Sequence, residues 1–103
     1  MYAKVTNIKF APGMRTEVVR VAHGLAPLLR GQRGFEGLQV LTDTDAGEAI
    51  IVSFWETEAD AEASEARPSY IGQMSMMSSF LSEPLLPRTY EVSVHVGSNL
   101  LQG

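Results

Sequence analysis

The chain contains no cysteine among its 103 residues. Disulfide-stapled scaffolds, thiolate metal centres and cysteine nucleophiles are therefore excluded. Histidine is also scarce, because His23 and His95 are the only two. Neither stands at metal-ligand spacing from another histidine or cysteine, so we expect no metal site.

An excess of basic residues is absent too. Lysine and arginine number 8 against 12 aspartates and glutamates, which gives a formal net charge of -4. A module that binds duplex nucleic acid needs a basic face, so nucleic acid is not an expected partner. No apolar run approaches the roughly 20 residues of a membrane-spanning helix, and residues 1–6 lack the apolar core of a signal peptide. We therefore predict a cytoplasmic protein with no membrane partner.

Hydrophobic residues make up 45% of the chain, which is typical of a globular protein. The length supports one domain, which we predict over residues 1–97, with a loose tail at 98–103. Alternating or β-branched segments predict four strands, at residues 2–10, 35–42, 48–55 and 89–96. Gly37 inside the second of these predicts a bulge or a close backbone approach. A loop rich in turn-forming residues, 43–47, joins the second and third strands.

Helical periodicity fills the remaining intervals. The first helical segment follows Met14 and is interrupted by Gly24 and Pro27. The second begins at a capping pattern on Thr57 and is divided by Pro68. The order β-α-β-β-α-β predicts a ferredoxin-like α+β fold, with a four-stranded antiparallel sheet and two helices on one face.

The third predicted strand is apolar on both faces. Ile50, Val52 and Phe54 point one way, and Ile51 and Trp55 point the other. Two helices can cover only one face of the sheet, and monomers rarely leave a large apolar patch exposed. We therefore predict a homodimer in which a second copy of the chain covers the other face.

Three short motifs carry a resemblance to a known family. They are Gly-Phe-x-Gly at residues 34–37, Gly-Glu at 47–48, and Trp-Glu-Thr at 55–57. The chain resembles the antibiotic biosynthesis monooxygenase family, whose fold is a dimeric α+β barrel of ferredoxin-like protomers. The resemblance implies this fold and an oxidoreductase activity, although one fold can host several functions.

The heme-degrading branch of that family uses an asparagine in the first strand, and a tryptophan and a heme-ligating histidine in the second helix. The matching positions in this sequence are Thr6, with Asn7 beside it, Ser64 and Gln73. Glutamine is a poor iron ligand, although nearby methionines such as Met74 carry thioethers. The comparison disfavours heme as a cofactor.

The polyketide-oxidising branch works without metal or flavin, and holds its substrate with an asparagine, a tryptophan and a tyrosine. The matching positions are Ile51, Trp55 and Ala61, so one of the three is kept. The expected function is cofactor-independent oxygenation of a small aromatic or quinol-type molecule. The alternatives are a non-catalytic dimer that binds a small apolar ligand, heme degradation, and a purely structural dimer.

A site for an aromatic substrate needs a ring to stack on, donors for an oxyanion, and shelter from water. The candidate binding residues, expected between the sheet and the helices, are Asn7, Trp55, Tyr70, Gln73 and Met74. For Trp55 and Tyr70, packing in the core is the favoured alternative to a role in the pocket. Thr6 and Asn7 point to opposite faces of the first strand, so one pocket can include only one of them. Trp55 and His95 are the candidate catalytic residues. His95 is a candidate general base, and the alternatives are a polar residue of the dimer interface or of an edge strand.

Overall fold

The computed structural model describes residues 1–43 and 47–97. Its elements are, in order, β1 (Tyr2–Lys9), α1 (Arg15–His23), α2 (Leu25–Leu29), β2 (Phe35–Asp43), β3 (Glu48–Trp55), α3 (Glu58–Glu65), α4 (Pro68–Ser75), a 3₁₀ turn (Ser78–Phe80) and β4 (Leu86–Glu91). The strands form one antiparallel sheet in the order β2-β3-β1-β4. The predicted ferredoxin-like α+β fold is confirmed. The predicted tail at 98–103 and residues 44–46 of the predicted loop lie outside the described residues.

Local sequence explains where the helices begin and end. The first helical segment divides at Gly24 into α1 and α2, and Pro27 has no N–H to continue the hydrogen-bond ladder. Thr57 caps α3, because its hydroxyl oxygen accepts a hydrogen bond from the backbone N–H of Asp60 at 3.1 Å. Pro68 occupies the first turn of α4, where a missing N–H is tolerated. The predicted interruptions at Gly24 and Pro68 are both confirmed.

The bulge predicted at Gly37 is also present. Phe35 pairs with Trp55, whereas Gly37 pairs with Phe54, so Glu36 is an extra residue in β2. The extra residue reverses the alternation of side chains along the strand. Phe35 and Leu38 therefore both pack against the hydrophobic core.

The last strand differs from the prediction at both ends, since β4 covers Leu86–Glu91 rather than residues 89–96. Pro87 lies inside β4, where it is tolerated because β4 is an edge strand whose outer side needs no backbone donor. At the other end Glu91 pairs with Tyr2, the first residue of β1. Beyond it β1 offers no further strand residues, and Val94 and Val96 are 80% and 87% exposed.

The helices cover one face of the sheet. Its strand residues Ile8, Ala49, Ile51 and Trp55 join helical residues in the core cluster, among them Val18, Val21, Ala22, Leu25, Leu29 and Ala61. We call the opposite side the open face. By strand register it carries Ala3, Val5, Asn7, Gln39, Leu41, Ile50, Val52, Phe54, Leu86, Arg88 and Tyr90. The strand β3 is thus apolar on both faces, as predicted.

Candidate functional site

An apolar groove opens between α4, the 3₁₀ turn and the segment that leads into β4. Its volume is about 600 Å³. It is lined by Tyr70, Ile71, Met74, Ser75, Ser78, Leu81, Ser82, Glu83, Pro84 and Leu85. We call it the Tyr70 groove. It brings together two of the predicted binding residues, Tyr70 and Met74.

No residue of α4 is fully buried, and the groove lies along the side of this helix that carries Tyr70, Ile71 and Met74. Tyr70 and Met74 are one helical turn apart and both contact the core with part of their surface. Ile71 lies beside them and is 53% exposed. An isoleucine this exposed next to a tyrosine and a methionine gives the groove the lining that small aromatic molecules prefer.

Two of the four hydroxyls that line the groove already make hydrogen bonds within the protein. The Ser75 hydroxyl donates to the Ile71 carbonyl at 2.8 Å, and the Ser78 hydroxyl donates to the Ser75 carbonyl at 2.7 Å. Within the described part of the chain, the Tyr70 hydroxyl makes no hydrogen bond. Burial, followed by the negative charge of Glu65, raises the pKa of Tyr70 to about 12. Tyr70 is therefore a hydrogen-bond donor at neutral pH and not a base.

A buried lysine stands behind the groove. Lys4 is 2% exposed, on the helix-covered face of β1. Its Nζ lies 2.8 Å from Glu65 Oε1, donates to Ser64 Oγ at 3.4 Å, and sits 4.6 Å from the centroid of the Tyr70 ring. Burial lowers the pKa of Lys4, and Glu65 opposes that shift. We call Lys4, Ser64, Glu65 and Tyr70 the lysine cluster.

Sequence reasoning missed this cluster. Lysine in a strand is expected at the surface, and Ser64 lies 60 residues further along the chain. The one available signal was the position of Lys4 among the side chains of β1 that alternate toward the helices, with Thr6 and Ile8.

Trp55 lies in the core and does not line the groove. Its side chain has no exposed surface. Its indole N–H donates to Ser53 Oγ at 2.8 Å, and its ring meets the Phe35 ring edge-on at 5.4 Å between centroids. Both the ring and the donor are thus occupied within the protein, which favours the packing interpretation.

Gln73 joins two helices. Its side-chain N–H donates to the Val21 carbonyl at 2.8 Å, and so connects α4 to α1. The contact requires Gly24, because a β-carbon at that position would overlap the Gln73 amide. The amide nitrogen is therefore engaged in structure rather than directed into the groove.

The other two candidates lie on the open side of the sheet. Asn7 is exposed and borders a cavity of about 620 Å³ at the end of the sheet, whose rim carries Lys9, Asp43 and Glu48. Thr6 points the opposite way and is 3% exposed. His95 borders a smaller cavity of about 340 Å³ with Gly37 and Phe54. The structure thus divides the predicted site residues among separate places.

The described residues hold no group of three or more histidine, aspartate or glutamate side chains suited to a metal ion. The position that matches the heme-ligating histidine is Gln73, whose amide is bonded to a backbone carbonyl. These residues do not fit a heme. Nor does any helix in residues 1–43 and 47–97 have the length and apolar character to cross a membrane.

Comparisons with known proteins support the ferredoxin-like α+β fold. The sequence model of a family described as antibiotic biosynthesis monooxygenase matches residues 1–71. No curated protein sequence gives a significant match. Among solved structures, a Nitrosomonas europaea protein provisionally named an antibiotic biosynthesis monooxygenase superposes with a TM-score of 0.80, at 13% identity over 93% of each chain.

Two further structures are similar to the same extent. Rv0793 from Mycobacterium tuberculosis gives a TM-score of 0.78 at 12% identity, over 93% of this chain and 98% of its own. A Deinococcus radiodurans protein of the same provisional name gives 0.79 at 14% identity, over 95% and 98%. At these identities the structural likeness concerns the fold.

Proposed function

Since this chain belongs to the antibiotic biosynthesis monooxygenase family, we propose that it oxygenates a small aromatic molecule, of the phenol or quinol type, in the Tyr70 groove. The observation that carries the proposal is the groove itself. It is apolar, has a volume of about 600 Å³, and presents an aromatic ring together with a free hydroxyl. That volume is in the range of small-molecule sites.

The main contribution of the protein to this reaction is to bind the substrate. A phenol that has lost its proton gives electrons to dioxygen. In a phenol, one oxygen atom replaces the ring hydrogen opposite the hydroxyl to give a quinone. In a quinol, it replaces a ring hydrogen beside a hydroxyl to give a hydroxyquinone, and in both reactions the other oxygen atom leaves as water. The Tyr70 hydroxyl can donate to the oxyanion of the substrate, because its pKa of about 12 keeps it protonated.

The groove has no strong base. Glu83 carries the only carboxylate among the residues that line it, and that carboxylate lies 3.7 Å from the Lys9 ammonium. A carboxylate is far weaker as a base than a phenolate. The proposal therefore favours substrates that ionise readily near neutral pH, and the reaction rate should follow the pKa of the substrate.

We propose that the reaction uses no resident cofactor. The support is that Gln73 is bonded to Val21 where the heme-degrading relatives have a ligating histidine. The chemistry described above takes its electrons from the substrate. It therefore needs neither iron nor flavin.

A second candidate is ligand binding without turnover. It is favoured by the positions that match the family's substrate-holding asparagine and tyrosine. These are Ile51 and Ala61, which are 5% and 0% exposed and lie in the core. A protein that lacks these polar groups but has an apolar groove could still bind the same class of molecule without converting it.

We also propose that the protein is a homodimer. The support is the open face, on which Ile50, Val52 and Phe54 of β3 keep part of their surface exposed. Exposed apolar patches on this scale mark interaction sites. A second copy of the chain offers the same apolar surface in a self-complementary arrangement.

The test is oxygen uptake by the purified protein with a panel of hydroquinones and polycyclic phenols. Ser78 lines the groove, whereas its neighbour Ser79 does not, so Ser78→Trp should obstruct the groove and Ser79→Trp is the matched control. We expect uptake that saturates with substrate, is lost in Ser78→Trp and persists in Ser79→Trp. Absence of uptake, with 1-naphthol binding that Ser78→Trp abolishes, would establish the binding protein instead.

A further inference from the structure

The lysine cluster connects the sheet to both helices beside the groove. Ser64 and Glu65 are the last two residues of α3, and Tyr70 lies in the first turn of α4. Pro68 breaks the helix between them, and Arg67 is in an extended conformation there. Lys4 contacts residues on both sides of this break.

The Lys4 ammonium has three partners within the cluster. An ammonium group has three donors. Two of its contacts are the oxygens of Glu65 and Ser64, and the third is the face of the Tyr70 ring. Ser64 in turn donates to the Ala61 carbonyl at 2.7 Å. No buried side-chain nitrogen or oxygen of the described residues lacks a partner.

Stability alone does not explain why this position holds a charge. The Lys4 side chain is 1% exposed and the Glu65 side chain is 43% exposed. Replacing a buried charge together with its partner by uncharged side chains of similar size is often neutral or stabilising. A methionine at residue 4 would fill nearly the same volume without desolvating a cation. Methionine would not provide the attraction between a cation and an aromatic ring, which is strongest when the pair is shielded from water.

We propose that Lys4 is a positioning residue for the Tyr70 groove: its buried ammonium holds the Tyr70 ring in the orientation that aromatic ligands require. The proposal rests on the groove being the ligand site proposed above. Lys4 itself does not line the groove, so it acts through the Tyr70 ring. It thereby sets the affinity for the ligand without touching it.

The experiment measures the equilibrium binding of 1-naphthol without oxygen, so that it does not depend on turnover. The test variant is Lys4→Met combined with Glu65→Gln, which removes both charges of the ion pair. The control is Arg67→Met, which removes an exposed cation from the start of α4. We expect affinity to fall about fivefold in the test variant and to stay within about twofold in the control, with unfolding stability nearly unchanged in both.

A double-mutant cycle separates a role through Tyr70 from any other. In a Tyr70→Leu background the same change at Lys4 and Glu65 should lower affinity by less than about twofold, because the ring is gone. An equal loss with and without the ring would overturn the proposal. So would unchanged affinity in the test variant.

A second readout needs no ligand and therefore separates this proposal from the proposed function. The ring resonances of Tyr70 in an NMR spectrum, assigned by their absence in Tyr70→Phe, should move in the test variant and stay in place in Arg67→Met. Resonances that do not move would refute the role of Lys4 even in a protein that turns over its substrate. Moved resonances in a protein without oxygenase activity would leave Lys4 as a positioning residue of a binding groove.

Discussion

Trp55 is the largest side chain that the described residues bury completely, and Ile71 is among their most exposed large apolar ones. We predict that Trp55→Ala lowers the free energy of unfolding by about 3–5 kcal/mol, because it leaves a cavity beside Phe35. Ile71→Ala should change stability by less than about 1 kcal/mol but weaken 1-naphthol binding, since Ile71 lines the groove. Urea unfolding and ligand titration of both variants test this. If a Trp55→Phe variant kept normal stability but bound 1-naphthol weakly, the assignment of Trp55 to core packing alone would be contradicted.

Tyr70 should also make the fold sensitive to alkali. Its pKa is about 12 in the folded protein against an ordinary value of 10.0. A raised pKa means that the stabilising contribution is fully present below pH 10 and is lost as the pH rises toward 12. Tyr70→Phe removes the ionisable group, so its stability should fall less steeply over that interval.

The measurement is urea unfolding at successive pH values, with Tyr90→Phe, at an exposed tyrosine, as the control. Glu91 raises the pKa of Tyr2 as well, and this effect is common to all three proteins. The Lys4 ammonium and the Glu65 carboxylate also face Tyr70 in each protein compared. The prediction would be contradicted if the free energy of unfolding fell with pH as steeply in Tyr70→Phe as in the wild type.

The contact between α1 and α4 depends on a glycine. A β-carbon at Gly24 would overlap the Gln73 amide, whereas one at Gly72 would meet nothing within 4 Å. We predict that Gly24→Ala lowers stability by about 0.5–1.5 kcal/mol, because the Gln73 amide must move away and lose its hydrogen bond to the Val21 carbonyl. Gly72→Ala should raise stability by about 0.5–1 kcal/mol through helix propensity. Thermal unfolding distinguishes the two variants. Adding Gln73→Ala should restore part of the loss at Gly24, and independent effects of the two substitutions would argue against the overlap.

Helix boundaries that depend on local residues were predictable from the sequence. Strand boundaries that depend on pairing with a neighbouring strand were not. The cap at Thr57 and the break at Pro68 follow from local chemistry. The bounds of β4 do not, because a strand ends where its neighbour ends. Its alternating sequence continues to Val96, but β1 begins at Tyr2, so the pairing stops at Glu91.

The candidate site shows the same division. Tyr70 and Met74 were recognisable because they share one helical stripe. Trp55 was assigned to the same pocket on resemblance, and its neighbours Ser53 and Phe35 show why it packs in the core. The pairing of Lys4 with Glu65 joins distant parts of the chain, so no local pattern could indicate it.

At the scale of the whole molecule, the homodimer proposed above predicts that a charge on the open face disrupts assembly. Val52 lies on the open face in β3, opposite Val5 and Gln39. We expect Val52→Lys to convert a species of twice the 11.2 kDa protomer mass into one of a single protomer, because a buried unpaired ammonium is strongly unfavourable. Light scattering measures the mass.

Val19→Lys provides the matched control for that prediction. Val19 is a valine on α1 that is 37% exposed, away from the open face. Val19→Lys should leave the mass of the species in solution equal to that of the wild type. Both variants should keep the circular dichroism spectrum of the folded chain. A protomer-sized wild type at micromolar concentration would refute the homodimer directly.

The double-sided character of β3 separates two selective constraints within a single strand. Ala49, Ile51, Ser53 and Trp55 are buried under the helices, whereas Ile50, Val52 and Phe54 keep part of their surface exposed. If the proposed homodimer forms through the open face, substitutions at every second residue can alter assembly while the intervening residues preserve the fold. In a deep mutational scan of β3, we expect substitutions at the buried positions to lower cellular abundance. Substitutions at the alternate, partly exposed positions should instead lower self-association.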